Sequence, residues 1–169
     1  MSGSISGSMS GDLYSGRVLE LAAQIPFVGT LPHPQGRALK VARLCGSEVS
    51  VDVVMSGGTV TEFAIEPKAC ALGQASASVL ANNIIGATRD EIVDARDSFK
   101  AMLKQQGKPP EGRFWELRYL QAVADYPPRH ASTLLAFEAA LDAIDQAIAA
   151  NDLGESRDGL ALMPSVPHI

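Results

Sequence analysis

The chain has 169 residues, 46% of them hydrophobic and 20% charged, with 19 acidic against 14 basic side chains and a formal net charge of −5. That length suits one domain, which buries roughly 68–70% of its extended surface on folding and needs no disulfide staples. The acidic balance without a basic block argues against nucleic acid or an anionic membrane as partner. Two cysteines exclude a disulfide-rich secreted scaffold, and no run approaches the ~20 apolar residues of a membrane span.

Residues 1–11 are Ser/Gly-rich, lack the basic and apolar regions of a secretion signal, and read as a flexible tail. A cytoplasmic location with both thiols reduced is the matching expectation. The folded domain is expected over 12–150. Asp12 is read as the cap of a first helix, in which Tyr14, Val18, Leu21, Ala22 and Ile25 recur at helical spacing until Pro26 stops it. From Arg37 the period falls to two. Ala38 to Leu44 reads as a strand, Val49 to Met55 as a second, and Thr59 to Glu66 as a third, with Gly57-Gly58 as the turn between the last two. After Lys68 the pattern turns helical. Ala71 to Ile85 is rich in small residues, and Thr88 with Glu91 spells a capping box for a helix buried along Ile92, Ala95, Phe99, Met102 and Leu103. Phe114, Leu117, Leu120 and Val123 suggest a short helix. After Pro127-Pro128, Leu134, Phe137, Leu141, Ile144 and Ile148 mark a last long one. The segment 151–169 is weakly patterned and reads as a weakly ordered tail. Strands followed by helices predict an α+β fold, a three-stranded antiparallel sheet with a layer of helices packed on one face.

Cys45, Cys70 and His130 are the candidate soft-metal ligands or nucleophiles inside ordered structure. Cys45 lies beside a glycine at a strand end, where a side chain projects into a loop-lined site. Cys70 lies at a helix start, where free N–H groups and nearby Lys68 favour a thiolate, so it is expected to be the more activated thiol. His130 falls in the first turn after the proline pair, and the same helix-end field favours a neutral ring open to a metal. A cation with N and S ligands fits such a triplet. The competing reading is that both thiols are ordinary small buried side chains. His33 and His168 read as solvated surface residues. The small-residue run from Gly73 to Ser78 lacks the GxxxxGK[ST] pattern of a phosphate loop and reads as a helix-packing face.

Leu44-Cys45-Gly46, the hairpin after it, the segment Lys68-Ala69-Cys70-Ala71-Leu72-Gly73-Gln74-Ala75-Ser76-Ala77-Ser78 and the opening of the last helix, Arg129-His130-Ala131-Ser132-Thr133-Leu134-Leu135, together resemble the NifU-like (IscU/SufU-type) iron–sulfur cluster assembly scaffold family. The resemblance spans roughly Leu13 to Ala149. It implies a non-enzymatic scaffold on which iron and sulfur are assembled on three cysteines, with zinc bound in some members. It also implies a cysteine desulfurase and apo iron–sulfur proteins as partners. The sequence departs from that pattern twice. No thiol stands near Arg129, so His130 is taken as the substitute third ligand beside Cys45 and Cys70. An aspartate common two places after the first cysteine is replaced by Ser47, followed by Glu48, either of which is a candidate fourth ligand. The alternatives are a zinc-bound thiol acceptor in sulfur transfer, or a cluster-less binding module on the same fold. The sequence leaves the oligomeric state open.

Overall fold

The computed structural model describes residues 13–161, with the backbone alone over 155–161. Helix α1 (Gly16–Ala23) is capped by Ser15, whose hydroxyl accepts from the Val18 N–H at 3.3 Å, and it buries Val18 and Leu21. Asp12, the expected cap, lies outside the described residues. Three strands follow as an antiparallel meander, β1 (Gly36–Ala42), β2 (Ser47–Ser56) and β3 (Thr59–Lys68), in the order β1-β2-β3. Ala38 pairs with Val51, and Val51 with Ile65. The hairpin turns through Gly57 and Gly58, as the sequence predicts, and a register shift between Val54 and Met55 bends its end.

One face of this sheet carries the core. Alternation puts Ala38, Ala42, Val49, Val51, Val53, Phe63 and Ile65 on it, all buried. The helical layer consists of α2 (Ala71–Asn83), α3 (Arg89–Lys104), a 3₁₀ segment (Gly112–Asp125) with a kink at Phe114, and α4 (His130–Ala161). Helix α4 lies across β1 and β2, and α2 packs against α4, β3 and α1. The close seat of α4 on the sheet comes from its alanines, since Ala136, Ala139, Ala140, Ala143 and Ala147 are all buried. On its other side Phe137 meets Phe99 and Phe114 edge to face, with ring centroids 5.8 and 5.5 Å apart. The Thr88–Glu91 capping box forms reciprocally at the start of α3.

The opposite sheet face is crossed by the chain between α1 and β1. Phe27 and Gly29 bond to Ile65 along the edge of β3, Leu31 N–H reaches Asp52, and Gln35 N–H reaches Val53. Two local expectations change. The short helix is a 3₁₀ run, because Phe114, Leu117, Leu120 and Val123, all buried, recur at intervals of three and not at the 3.6 of an α-helix. The last helix does not give way to a tail at residue 151: its backbone stays helical to Ala161. No proline interrupts that stretch, and the Asn151 amide donates to the Met55 carbonyl at 3.2 Å. Residues 162–169 lie outside the described residues. Among the described residues no helix is long and apolar enough to cross a membrane.

Candidate functional site

Three junctions of the fold meet at one end of the sheet: the β1–β2 connection, the β3–α2 joint and the start of α4. The first is a tight turn in which Gly46 adopts φ +73° and donates its N–H to the Ala42 carbonyl at 2.9 Å. Glycine tolerates that left-handed conformation without strain, and Cys45 is held exposed at the turn. Cys70 is the N-cap residue of α2, and its side chain makes no capping bond, so the sulfur remains free to face the neighbouring elements. It is partly buried, with Sγ 3.8 Å from Ser132 Oγ in the first turn of α4. This approach of α2 to α4 depends on Gly73. A Cβ there would stand 2.8 Å from Ala69 Cβ and 3.0 Å from the Ser132 carbonyl oxygen.

Hydroxyl groups complete the surroundings of the thiols. Cys45 Sγ lies 3.2 Å from Ser47 Oγ and 3.8 Å from the Ala42 carbonyl oxygen. The Ser47 hydroxyl, foremost, holds the Cys45 thiol below its ordinary range. The Ser47 backbone N–H, the Ser132 hydroxyl and the Arg129 charge add to the effect, and desolvation opposes it. Ser47 and Ser132 are themselves buried, at 4% and 1% exposure. Strand alternation puts Glu48 on the other sheet face, so of the two candidate fourth ligands only Ser47 adjoins the thiols.

The structure thus brings Cys45 and Cys70 to a common neighbourhood but does not bring His130 there. The His130 ring is buried, with Nε2 2.9 Å from the Val123 carbonyl and 3.2 Å from that of Ala124. Carbonyls only accept, so Nε2 carries the proton and the ring is engaged in closing the end of the 3₁₀ segment. Ser132, two positions further and roughly 200° around the helix, points where His130 was expected. Among the described residues no three Cys, His, Asp or Glu side chains are placed to hold a metal ion. The two thiols differ in access: Cys45 is exposed, and a serine two residues away favours its thiolate, whereas Cys70 is partly buried.

This asymmetry is measurable. Partial alkylation with iodoacetamide between pH 6 and 9, mapped by mass spectrometry, is expected to mark Cys45 severalfold faster than Cys70. The Cys45 rate should rise at lower pH than that of a free thiol in a model peptide. Ser47→Ala should move that profile toward higher pH, because the largest group favouring the thiolate is gone. Equal rates at the two cysteines would contradict the assignment.

An exposed thiol and a half-buried one thus stand among serine hydroxyls at one end of a three-stranded α+β domain. No family model matches the chain. It is 28% identical over 109 residues, 64% of this chain and 69% of the relative, to the iron–sulfur cluster assembly scaffold protein IscU of Streptococcus pyogenes serotype M1. It is 25% identical over 136 residues, 78% of this chain and 92% of the relative, to the scaffold protein of the same name in Thermotoga maritima. The crystal structure of a nitrogen-fixing NifU-like protein (N-terminal) from Brucella abortus superposes with a TM-score of 0.82 at 50% identity, over 83% of this chain and 98% of that one. The chain belongs to the NifU-like, IscU/SufU-type family of iron–sulfur cluster assembly scaffolds.

Proposed function

We propose that this chain is a carrier on which an iron–sulfur cluster is assembled through Cys45 and Cys70 and from which it passes to apo acceptor proteins. The observation that carries this reading is the meeting of the two cysteines, remote in sequence, beside Ser132 at one surface of the fold. The relatives named as assembly scaffolds support it. Sulfur would arrive from a cysteine desulfurase as a persulfide. The Cys45 thiolate attacks the terminal sulfane sulfur, the donor leaves as its own thiolate, and a persulfide stays on Cys45. Exposure at the turn gives the donor access, whereas Cys70, partly buried against α4, is placed to anchor iron. Soft thiolates suit that metal. The role is that of a non-catalytic scaffold in the reducing cytoplasm, to which this chain contributes two thiols.

The test is anaerobic reconstitution with ferrous iron and sulfide. The wild-type chain is expected to develop visible sulfur-to-iron charge-transfer absorption together with bound iron. Cys45→Ala and Cys70→Ala are each expected to lose it while their melting temperatures shift by less than about 4 °C, the displacement produced by ~1 kcal/mol in a chain of this size. A wild-type protein that remains colourless and iron-free, or a Cys70→Ala variant with an unchanged spectrum, would sink the proposal. Tight zinc with no cluster under the same conditions would point instead to a zinc-bound thiol acceptor.

A further inference from the structure

We infer that the Ser132 hydroxyl is the third protein donor to the metal cargo, giving this chain a site of two sulfurs and an oxygen. The inference rests on the cluster-binding reading and concerns how firmly that cargo is held. Two thiols do not complete a tetrahedral iron or zinc, and the chain offers few further donors at this end of the fold. His130 is spent on the Val123 and Ala124 carbonyls. Glu48 belongs to the other sheet face, and among the described residues no third Cys, His, Asp or Glu joins the pair.

Ser132 meets the requirement by position. Its oxygen is 3.8 Å from Cys70 Sγ and is near enough to Cys45 to help hold that thiol below its ordinary range, so it adjoins both thiols. The residue is 1% exposed, and the helix contact at Gly73 fixes its backbone. When a cation takes the place of the proton between Ser132 and the sulfurs, the hydroxyl can donate to the Arg129 carbonyl at 3.1 Å, which leaves oxygen lone pairs for that cation. A neutral hydroxyl is a far weaker and harder donor than a thiolate toward iron or zinc. The corner of the site at Ser132 is therefore the one that opens first, a property suited to a chain that must give its cargo away.

The experiment compares the wild type with Ser132→Cys and Ser132→Ala, using cobalt(II) and zinc alone and then the reconstituted cluster. Ser132→Cys should raise the thiolate-to-cobalt charge-transfer intensity, as two sulfur ligands become three. It should also tighten zinc by more than about tenfold, since even groups that only orient a ligand change affinity by 10–100-fold. Cluster lifetime against a chelator should lengthen in the same variant. Ser132→Ala should weaken zinc and shorten cluster lifetime relative to wild type. If Ser132→Cys gains neither cobalt charge-transfer intensity nor affinity, residue 132 is not at the metal and the inference fails. Should Ser132→Cys gain while Ser132→Ala equals the wild type, the place is right but the oxygen does not bind, and the inference fails as well. A wild-type cluster indifferent to both changes overturns this inference and leaves the cluster-binding reading standing. No metal in any of the three proteins overturns both.

Discussion

Gly36→Ala is expected to destabilise the protein by about 3 kcal/mol, lowering its melting temperature by roughly 6–12 °C in thermal unfolding. Strand propensity alone predicts the opposite sign, because glycine inside an element costs ~0.5–1 kcal/mol relative to alanine. The packing decides. Gly36 opens β1 where α4 crosses it, and a Cβ there would lie 1.8 Å from the Ala143 carbonyl oxygen and 3.0 Å from the Ala147 nitrogen. Those atoms are the two ends of one helical hydrogen bond, so no flexible side chain can give way. The helix itself would have to lift from the sheet. Overpacking costs typically about 1–3 kcal/mol, and a backbone that cannot relax places this site at the upper end. The start of α4 carries Ser132, so displacement of the helix also threatens the thiol site. A Gly36→Ala protein that melts at or above the wild-type temperature would show that the seat of α4 is looser than drawn.

Much of this fold was legible because its signals are local. The alternation through Val49, Val51 and Val53, the glycine pair at 57–58 and the reciprocal Thr88–Glu91 box each dictate backbone geometry within a few residues. The approach of Gly36 to α4 was not legible, since it depends on which helix face lands on which strand. The 3₁₀ segment and its spacing of three illustrate the intermediate case. Its period was written in Phe114, Leu117, Leu120 and Val123, but an interval of three also fits one flank of an α-helix, so periodicity alone did not distinguish them.

The candidate site divides along the same line. Cysteines are few and chemically distinctive, and their settings at a strand end and a helix start survive in the structure. His130 drew attention by its chemistry, yet helical phase placed it elsewhere. It lies four residues before Leu134, seven before Phe137 and eleven before Leu141, in register with the buried stripe that the sequence already identified. Ser132 belongs to a second stripe with Ala136, Ala139 and Ala143, the small-residue side that lets other elements approach. That phase was available in the sequence. What it lacked was a reason to weigh a serine, because a hydroxyl becomes a candidate donor only when two sulfurs are seen beside it.

Asp52→Ala is expected to cost about 3 kcal/mol at neutral pH, and the loss should shrink in acid. Asp52 is on the sheet face away from the helices, 1% exposed beneath the crossing chain. Its carboxylate accepts from Arg37 Nε at 2.7 Å, from Arg37 Nη2 at 2.8 Å and from the Leu31 N–H at 2.9 Å. One residue thereby ties the chain between α1 and β1 to both β1 and β2. Net contributions of about 1.5–3 kcal/mol are typical of hydrogen bonds to charged groups, and truncation also leaves the Leu31 donor without its acceptor. The Arg37 hydrogen bonds, foremost, hold the carboxyl below its ordinary value, with the Leu31 N–H and the Arg37 charge adding to them against desolvation. A carboxyl depressed in the folded state binds fewer protons there than in the unfolded chain. Its stabilisation is therefore complete above the unfolded value of about 3.9 and is lost as pH falls below it toward the folded value. Denaturant unfolding of both proteins at pH 7, 5, 4 and 3 should give a gap that is constant over the first two and narrows over the last two. A gap that widens in acid would mean that burial, and not Arg37, governs this carboxylate.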